Sequence, residues 1–150
     1  MNNKGTSLVE LIAVIVIMGV IASIATVTIV NVIDRQRRNT VINTLDNIYG
    51  TAKEMLYLVE NAEYDENITI SDDRRFCYIS LNTMLDAGII DGNDYRTTDG
   101  DIVFCYNMSE TWVVIGSVSL SNTKPTSTGS IVVNKVSISF DYNTNKFIKA

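Results

Sequence analysis

The chain contains no histidine. That removes the side chain most often used as a general base near neutral pH and as a neutral metal ligand. It holds a single proline, Pro125, so no residue before that point locks the backbone against a long helix. Its two cysteines, Cys77 and Cys105, fit neither a zinc-ligand spacing nor a CxxC redox motif. Positive charge is scarce: 12 Lys and Arg face 17 Asp and Glu, for a net charge of −5. An acidic chain is a poor general ligand for polyphosphates, and no specific nucleic-acid partner is expected. No nucleophile stands beside a candidate base, so catalysis is not expected, nor are a cofactor or a metal site.

What the chain has in quantity is apolar surface near its N-terminus. No residue from Leu11 to Ile33 is charged, a run of about 23 residues, long enough to cross a bilayer. It exceeds the ~7–15-residue core of a cleaved secretory signal. Glu10 stands at its front edge. A carboxylate inside a membrane-length stretch costs roughly 2.5–3.5 kcal/mol even on lenient insertion scales, so its presence calls for a use. Lys4 precedes the run and Arg35, Arg37 and Arg38 follow it. By the positive-inside rule alone, the arginine side would stay in the cytoplasm.

Lys4-Gly5, then Thr6-Ser7-Leu8-Val9-Glu10, then the apolar run, resembles the class III signal of type IV pilins and pseudopilins. The resemblance covers residues 4 to 33. It implies that residues 1–5 are a leader cut between Gly5 and Thr6 by a membrane prepilin peptidase. The new Thr6 amine would be N-methylated, and Glu10 would become the fifth residue of the mature chain. Two positions depart from the family pattern: Thr6 stands where phenylalanine is usual, and the second half of the run lacks the common proline. Cutting creates an amine that can pair with Glu10 of a neighbouring copy; two unit charges ~4 Å apart attract by about 4 kcal/mol at an effective dielectric of 20. The alternative places Glu10 at the membrane interface, where the helix N-terminus favours an anion.

The resemblance further implies a structural subunit of a type IV pilus serving adhesion, motility or DNA uptake, or a pseudopilin of a type II secretion or competence machine. Its partners would be other pilin copies (minor pilins among them), the prepilin peptidase, the assembly platform with its ATPase, and the membrane. The precursor would be a single-pass protein of the cytoplasmic membrane; the assembled form would be a filament on the cell surface. An uncleaved, signal-anchored surface binding protein is the reading from a different class.

Beyond the run, Val41, Leu45, Ile48, Ala52, Met55, Val59 and Ala62 recur at spacings of four and three, flanked by Ile42, Tyr49 and Leu56. This predicts that the helix continues with one buried face. From Leu8 to Ala62 it would span on the order of 80 Å. Asn67–Ile70, Phe76–Ile79, Asp101–Asn107, Thr111–Leu120, Ile131–Tyr142 and Lys146–Lys149 read as strands. Ser80–Gly88 reads as a short helix with Ser80 as its cap and Gly88 as its stop. Asp91-Gly92 and Asp99-Gly100 are turn signals, and Ser121–Ser130 a loop. The fold class is therefore α+β: a long helix, transmembrane over 6–33 and amphipathic over 34–62, packed on a small antiparallel sheet formed by an exported domain, 63–150. The family implies the same ladle-shaped arrangement.

The tripeptide Phe-Cys-Tyr occurs twice, around Cys77 and Cys105. In strands each cysteine points away from its aromatic neighbours. Paired strands could set the thiols face to face, and a disulfide closing about 29 residues would contribute roughly 3–4 kcal/mol. The other reading is two small buried thiols. Asp91, Asn93, Asp94, Asp99 and Asp101 gather oxygen ligands but do not fit an EF-hand loop; turn chemistry accounts for them without metal, and the resemblance leaves calcium as the alternative, since some pseudopilins hold it in a loop of their globular domain.

Overall fold

A computed structural model describes residues 4–61, 65–72, 74–116 and 120–150, with the side chains of 4–6, 27 and 59–61 also outside the description. The fold is α+β: one long N-terminal helix packed on small antiparallel sheets. The chain divides after Arg37 into two compact units.

Helix α1 runs from Lys4 to Asn61. In the first unit its apolar residues are exposed on every side, from Leu8 (60%) to Ile33 (47%). It is long and apolar enough to cross a membrane. The run is rich in Val and Ile, which are mediocre helix formers in water. In an apolar surrounding the helix is favoured anyway, because it satisfies every backbone N–H and C=O within the segment. The hydroxyls follow the same logic. Ser23, Thr26 and Thr28 donate to the carbonyls of Gly19 (2.8 Å), Ala22 (2.7 Å) and Ile24 (3.2 Å), each four residues back. No partner from water or another helix is needed for them.

In the second unit α1 becomes one-sided. Val41, Leu45, Ile48, Tyr49, Ala52 and Leu56 are buried, while Ile42 and Met55 are partly so. The stripe therefore leans toward Tyr49 and Leu56 rather than Met55. Ala62 and the side chain of Val59, the last two positions of the expected stripe, lie outside the described residues.

The strands form two sheets instead of one. β1 (Thr69–Ile70), β2 (Cys77–Ser80), β3 (Ile102–Tyr106) and β4 (Thr111–Ile115) pair in that order. β5 (Ile131–Val133), β6 (Val136–Asp141) and β7 (Lys146–Lys149) make the second sheet. Ile79, Ile102, Phe104, Val113, Ile115, Ile138, Phe140 and Phe147 bury one face of each sheet in a core shared with α1. A smaller cluster of Phe76, Cys105, Trp112 and Val114 covers the opposite face of the four-stranded sheet. Burial on both faces explains why β4 reads as a nearly continuous apolar run.

The sheets are stitched at β4. Ile115 donates its N–H to Thr128 Oγ1 (3.1 Å), and Gly129 donates its N–H to the Ile115 carbonyl (3.3 Å). A Cβ at Gly129 would lie 2.9 Å from that carbonyl oxygen, so the approach needs glycine. The Tyr142 hydroxyl adds a bond to the Val113 carbonyl at 2.8 Å.

Between β2 and β3, α2 (Leu81–Asp86) starts at the expected cap. Thr83 N–H donates to Ser80 Oγ at 3.2 Å, and Gly88 follows the helix with φ of +71°. One expected strand is corrected. Ile131–Tyr142 is a hairpin, with Val133 opposite Val136 and a two-residue turn at Asn134-Lys135. Both turn residues have positive φ, 47° and 66°, which matches the right-handed strand twist as a type I′ turn does. The expected strand Thr111–Leu120 ends at Ile115; residues 117–119 lie outside the description.

Candidate functional site

Gly5 and Thr6 fall within the backbone of α1, and residues 1–3 of the expected leader lie outside the described residues. One turn further on, Glu10 is exposed. Its flanking residues Leu8, Val9, Leu11 and Ile12 are 54–67% exposed, so the carboxylate stands alone in apolar surface. On a helix its side chain can reach positions three and four away. These are Thr6, Ser7, Ala13 and Val14, none cationic. Among the described residues no cation lies within ion-pair distance of Glu10. An isolated carboxylate of this kind is costly in an apolar medium and gains most from a cation brought by another chain or made by processing of this one.

At the far end of the run, Asp34, Arg35 and Arg37 are exposed and Arg38 is half-buried. Arg37 Nη1 lies 3.9 Å from Asp34 Oδ1.

The cysteines do not form the expected bond: both Cys77 and Cys105 are buried thiols. The register supplies the reason. β2 and β3 pair with Cys77 opposite Tyr106 and Cys105 opposite Tyr78. An offset of one position sends the two side chains to opposite faces of the sheet. Cys77 joins the core under α1, and Cys105 joins the cluster with Trp112. Burial, with a smaller contribution from Cys77, pushes the Cys105 thiol up to about 12.

The oxygen-rich stretch around Asp91–Asp101 serves local structure. Asp101 Oδ1 accepts from the Ile102 N–H (2.8 Å) and the Asn82 N–H (3.4 Å). Asn93–Tyr95 is a single 3-10 turn entered from Gly92, which has φ of +128°. Among the described residues no three Asp, Glu or Cys side chains gather into a metal-binding set.

Sequence reasoning missed one surface feature. An open groove of about 560 Å³ lies between α1 and the β3–β4 hairpin, lined by Lys53, Glu54, Tyr57, Met108 and Glu110 among others. Tyr57 and Met108 are 57% and 53% exposed, and Met108 has φ of +73°. Of the charged groups at the groove, Lys53 sits over the Tyr49 ring (5.4 Å), and Glu110 lies 3.8 Å from Lys124. The one signal available was Tyr57, a large apolar side chain off the buried stripe. Set against protein-family models, curated proteins and solved structures, the chain matches none.

Proposed function

We propose that this chain is a type IV pilin-like subunit: cut between Gly5 and Thr6, held in the cytoplasmic membrane by the first half of α1, and polymerised into a surface filament. The observation that carries the reading is Glu10, a carboxylate without a cationic partner among the described residues, four positions beyond Thr6 on a helix whose apolar face is exposed all round. Cutting supplies an amine at Thr6, and packing of several copies supplies both the pairing and the burial. The two costs, an unpaired carboxylate and an unpaired amine in an apolar medium, fall together when subunits come into register. The exposed apolar residues suit lipid and neighbouring helices equally, so the same segment serves the membrane-held and the assembled states.

The second unit, with its own core, would form the outer surface of the polymer. Buried apolar area contributes about 25 cal/mol per Å² before association costs, so extended helix-on-helix contact is the natural source of cohesion. The test is the N-terminus of the native protein. Mass spectrometry of protein sheared from cells is expected to find a chain starting at Thr6, with or without a methyl group. Intact Met1-Asn2-Asn3 in that material would replace this reading with an uncleaved, signal-anchored surface protein.

A further inference from the structure

The end of the apolar run carries a second, independent pattern. Ile29, Val30, Val32 and Ile33 are 46–55% exposed, and Arg35 and Arg37 follow within one turn, both exposed. Arg37 shares Asp34 at 3.9 Å, a long and solvent-exposed contact that binds weakly. Among the described residues Arg35 has no carboxylate within ion-pair distance. Guanidinium groups of this kind keep a full positive charge, which attracts anionic headgroups at a bilayer surface. The lengths then matter. The uncharged run rises about 35 Å at ~1.5 Å per residue, against a hydrocarbon core of roughly 30 Å. The turn holding the arginines therefore arrives at the phosphate level of a bilayer.

We propose that Arg35 and Arg37 clamp anionic phospholipid headgroups and so fix the depth at which α1 sits in the membrane. Glu10 and Arg35 stand about 25 positions apart, or about 38 Å along the helix. With the arginines held among headgroups, Glu10 lies at the opposite interface instead of inside the hydrocarbon. The clamp thus draws Glu10 to the edge of the hydrocarbon, where a partner copy can take it over. It also gives the arginines a use on the side where charge counting alone disfavours them. This inference rests on the membrane-held state proposed above.

The test uses the full-length protein with a spin label at Asn31→Cys, reconstituted into vesicles of phosphatidylcholine alone or with an equal part of phosphatidylglycerol. Label depth is read by collision with oxygen and with a water-soluble nickel complex. With phosphatidylglycerol, R35Q/R37Q is expected to move the label deeper by about one helical turn, ~5 Å. R35K/R37K is expected to hold the parent depth, since the charges persist. In phosphatidylcholine alone the parent should sit where R35Q/R37Q sits. One depth for all proteins and both lipids would overturn the clamp. Recovery of the parent depth in phosphatidylcholine on adding inorganic phosphate would also overturn it, by assigning the arginines to a free anion. Failure of every version to enter vesicles would overturn the membrane reading as well, and so separates the two.

Discussion

The carboxylate of Asp46 on α1 accepts a hydrogen bond from the backbone N–H of Phe147 at 3.0 Å, across 101 positions of sequence. β7 is an outer strand of its sheet, and such a strand presents N–H groups with no neighbouring strand to bond. Asp46 supplies the missing acceptor from the helix while Phe147 buries its ring in the core beneath, edge-on to Phe140 at 5.1 Å. The expected cost of Asp46→Ala is about 1–3 kcal/mol, since it leaves a part-buried donor unpaired. Asp46→Asn keeps an acceptor oxygen and should cost less. Urea unfolding of the full chain in detergent, followed by the fluorescence of the buried Trp112, measures both. Equal stability of all three proteins would show that the contact does not hold β7.

The β5–β6 turn is a place where the chain works against local preference. Lys135 adopts φ of 66°, a conformation that a Cβ disfavours and glycine accepts freely. Lys135→Gly converts the turn to Asn-Gly, the favoured pair for a two-residue hairpin. Stabilisation of about 0.5–1 kcal/mol is expected, read as a higher urea midpoint with an unchanged slope. A loss of stability would mean that the Lys135 side chain holds the turn by contacts that outweigh its backbone strain.

The same turn marks the limit of what the residues disclose. α1 was legible because two periodicities join without a breaker: apolar all round, then apolar on one face. α2 was legible because Ser80 and Gly88 bracket it with cap and stop chemistry. Asn134-Lys135 was not, since without glycine it resembles the interior of a polar-flanked strand, and Ile131–Tyr142 reads as one element. The cysteines failed for a different reason. Identical Phe-Cys-Tyr triplets suggest matched strands, but a register shift of one position reverses the facing of a side chain, and register depends on the turn and on pairing across distant sequence. Glu10 and the Gly5-Thr6 junction were plain in the sequence, whereas the groove by Tyr57 and Met108 exists only once α1 meets the β3–β4 hairpin.

Burial of Cys105 gives a pH signature. Its thiol is raised to about 12 from an ordinary value near 9.0. The neutral form is thus favoured in the folded chain more than in the unfolded one. Its contribution to stability is complete below pH ~9 and is lost as pH rises toward ~12, because the unfolded chain releases that proton first. Cys105→Ala should flatten the alkaline fall in stability between those limits while lowering stability at neutral pH by the lost packing. Alkylation gives a second readout: Cys105 should resist iodoacetamide at neutral pH in the folded chain and react fully in urea. Rapid modification of folded Cys105 would contradict its burial against Trp112.

Glu10 carries the functional reading, and its substitution separates pairing from mere interfacial placement. If Glu10 only rests at the membrane surface, Glu10→Ala removes an awkward group and assembly proceeds. If it pairs with the Thr6 amine of a neighbouring copy, Glu10→Ala leaves that amine unpaired in an apolar core. About 4 kcal/mol of attraction per contact is then lost at an effective dielectric of 20, and each 1.4 kcal/mol is roughly tenfold in an equilibrium. The expected outcome is membrane abundance near that of the parent, with the sheared surface fraction reduced at least ~100-fold. Glu10→Asp should recover part of the loss, since the charge persists on a shorter arm. Quantitative immunoblots of membrane and sheared fractions read both quantities from the same cells. Parental amounts of surface material from Glu10→Ala would remove the pairing from the mechanism and leave filament cohesion to the apolar helix faces alone.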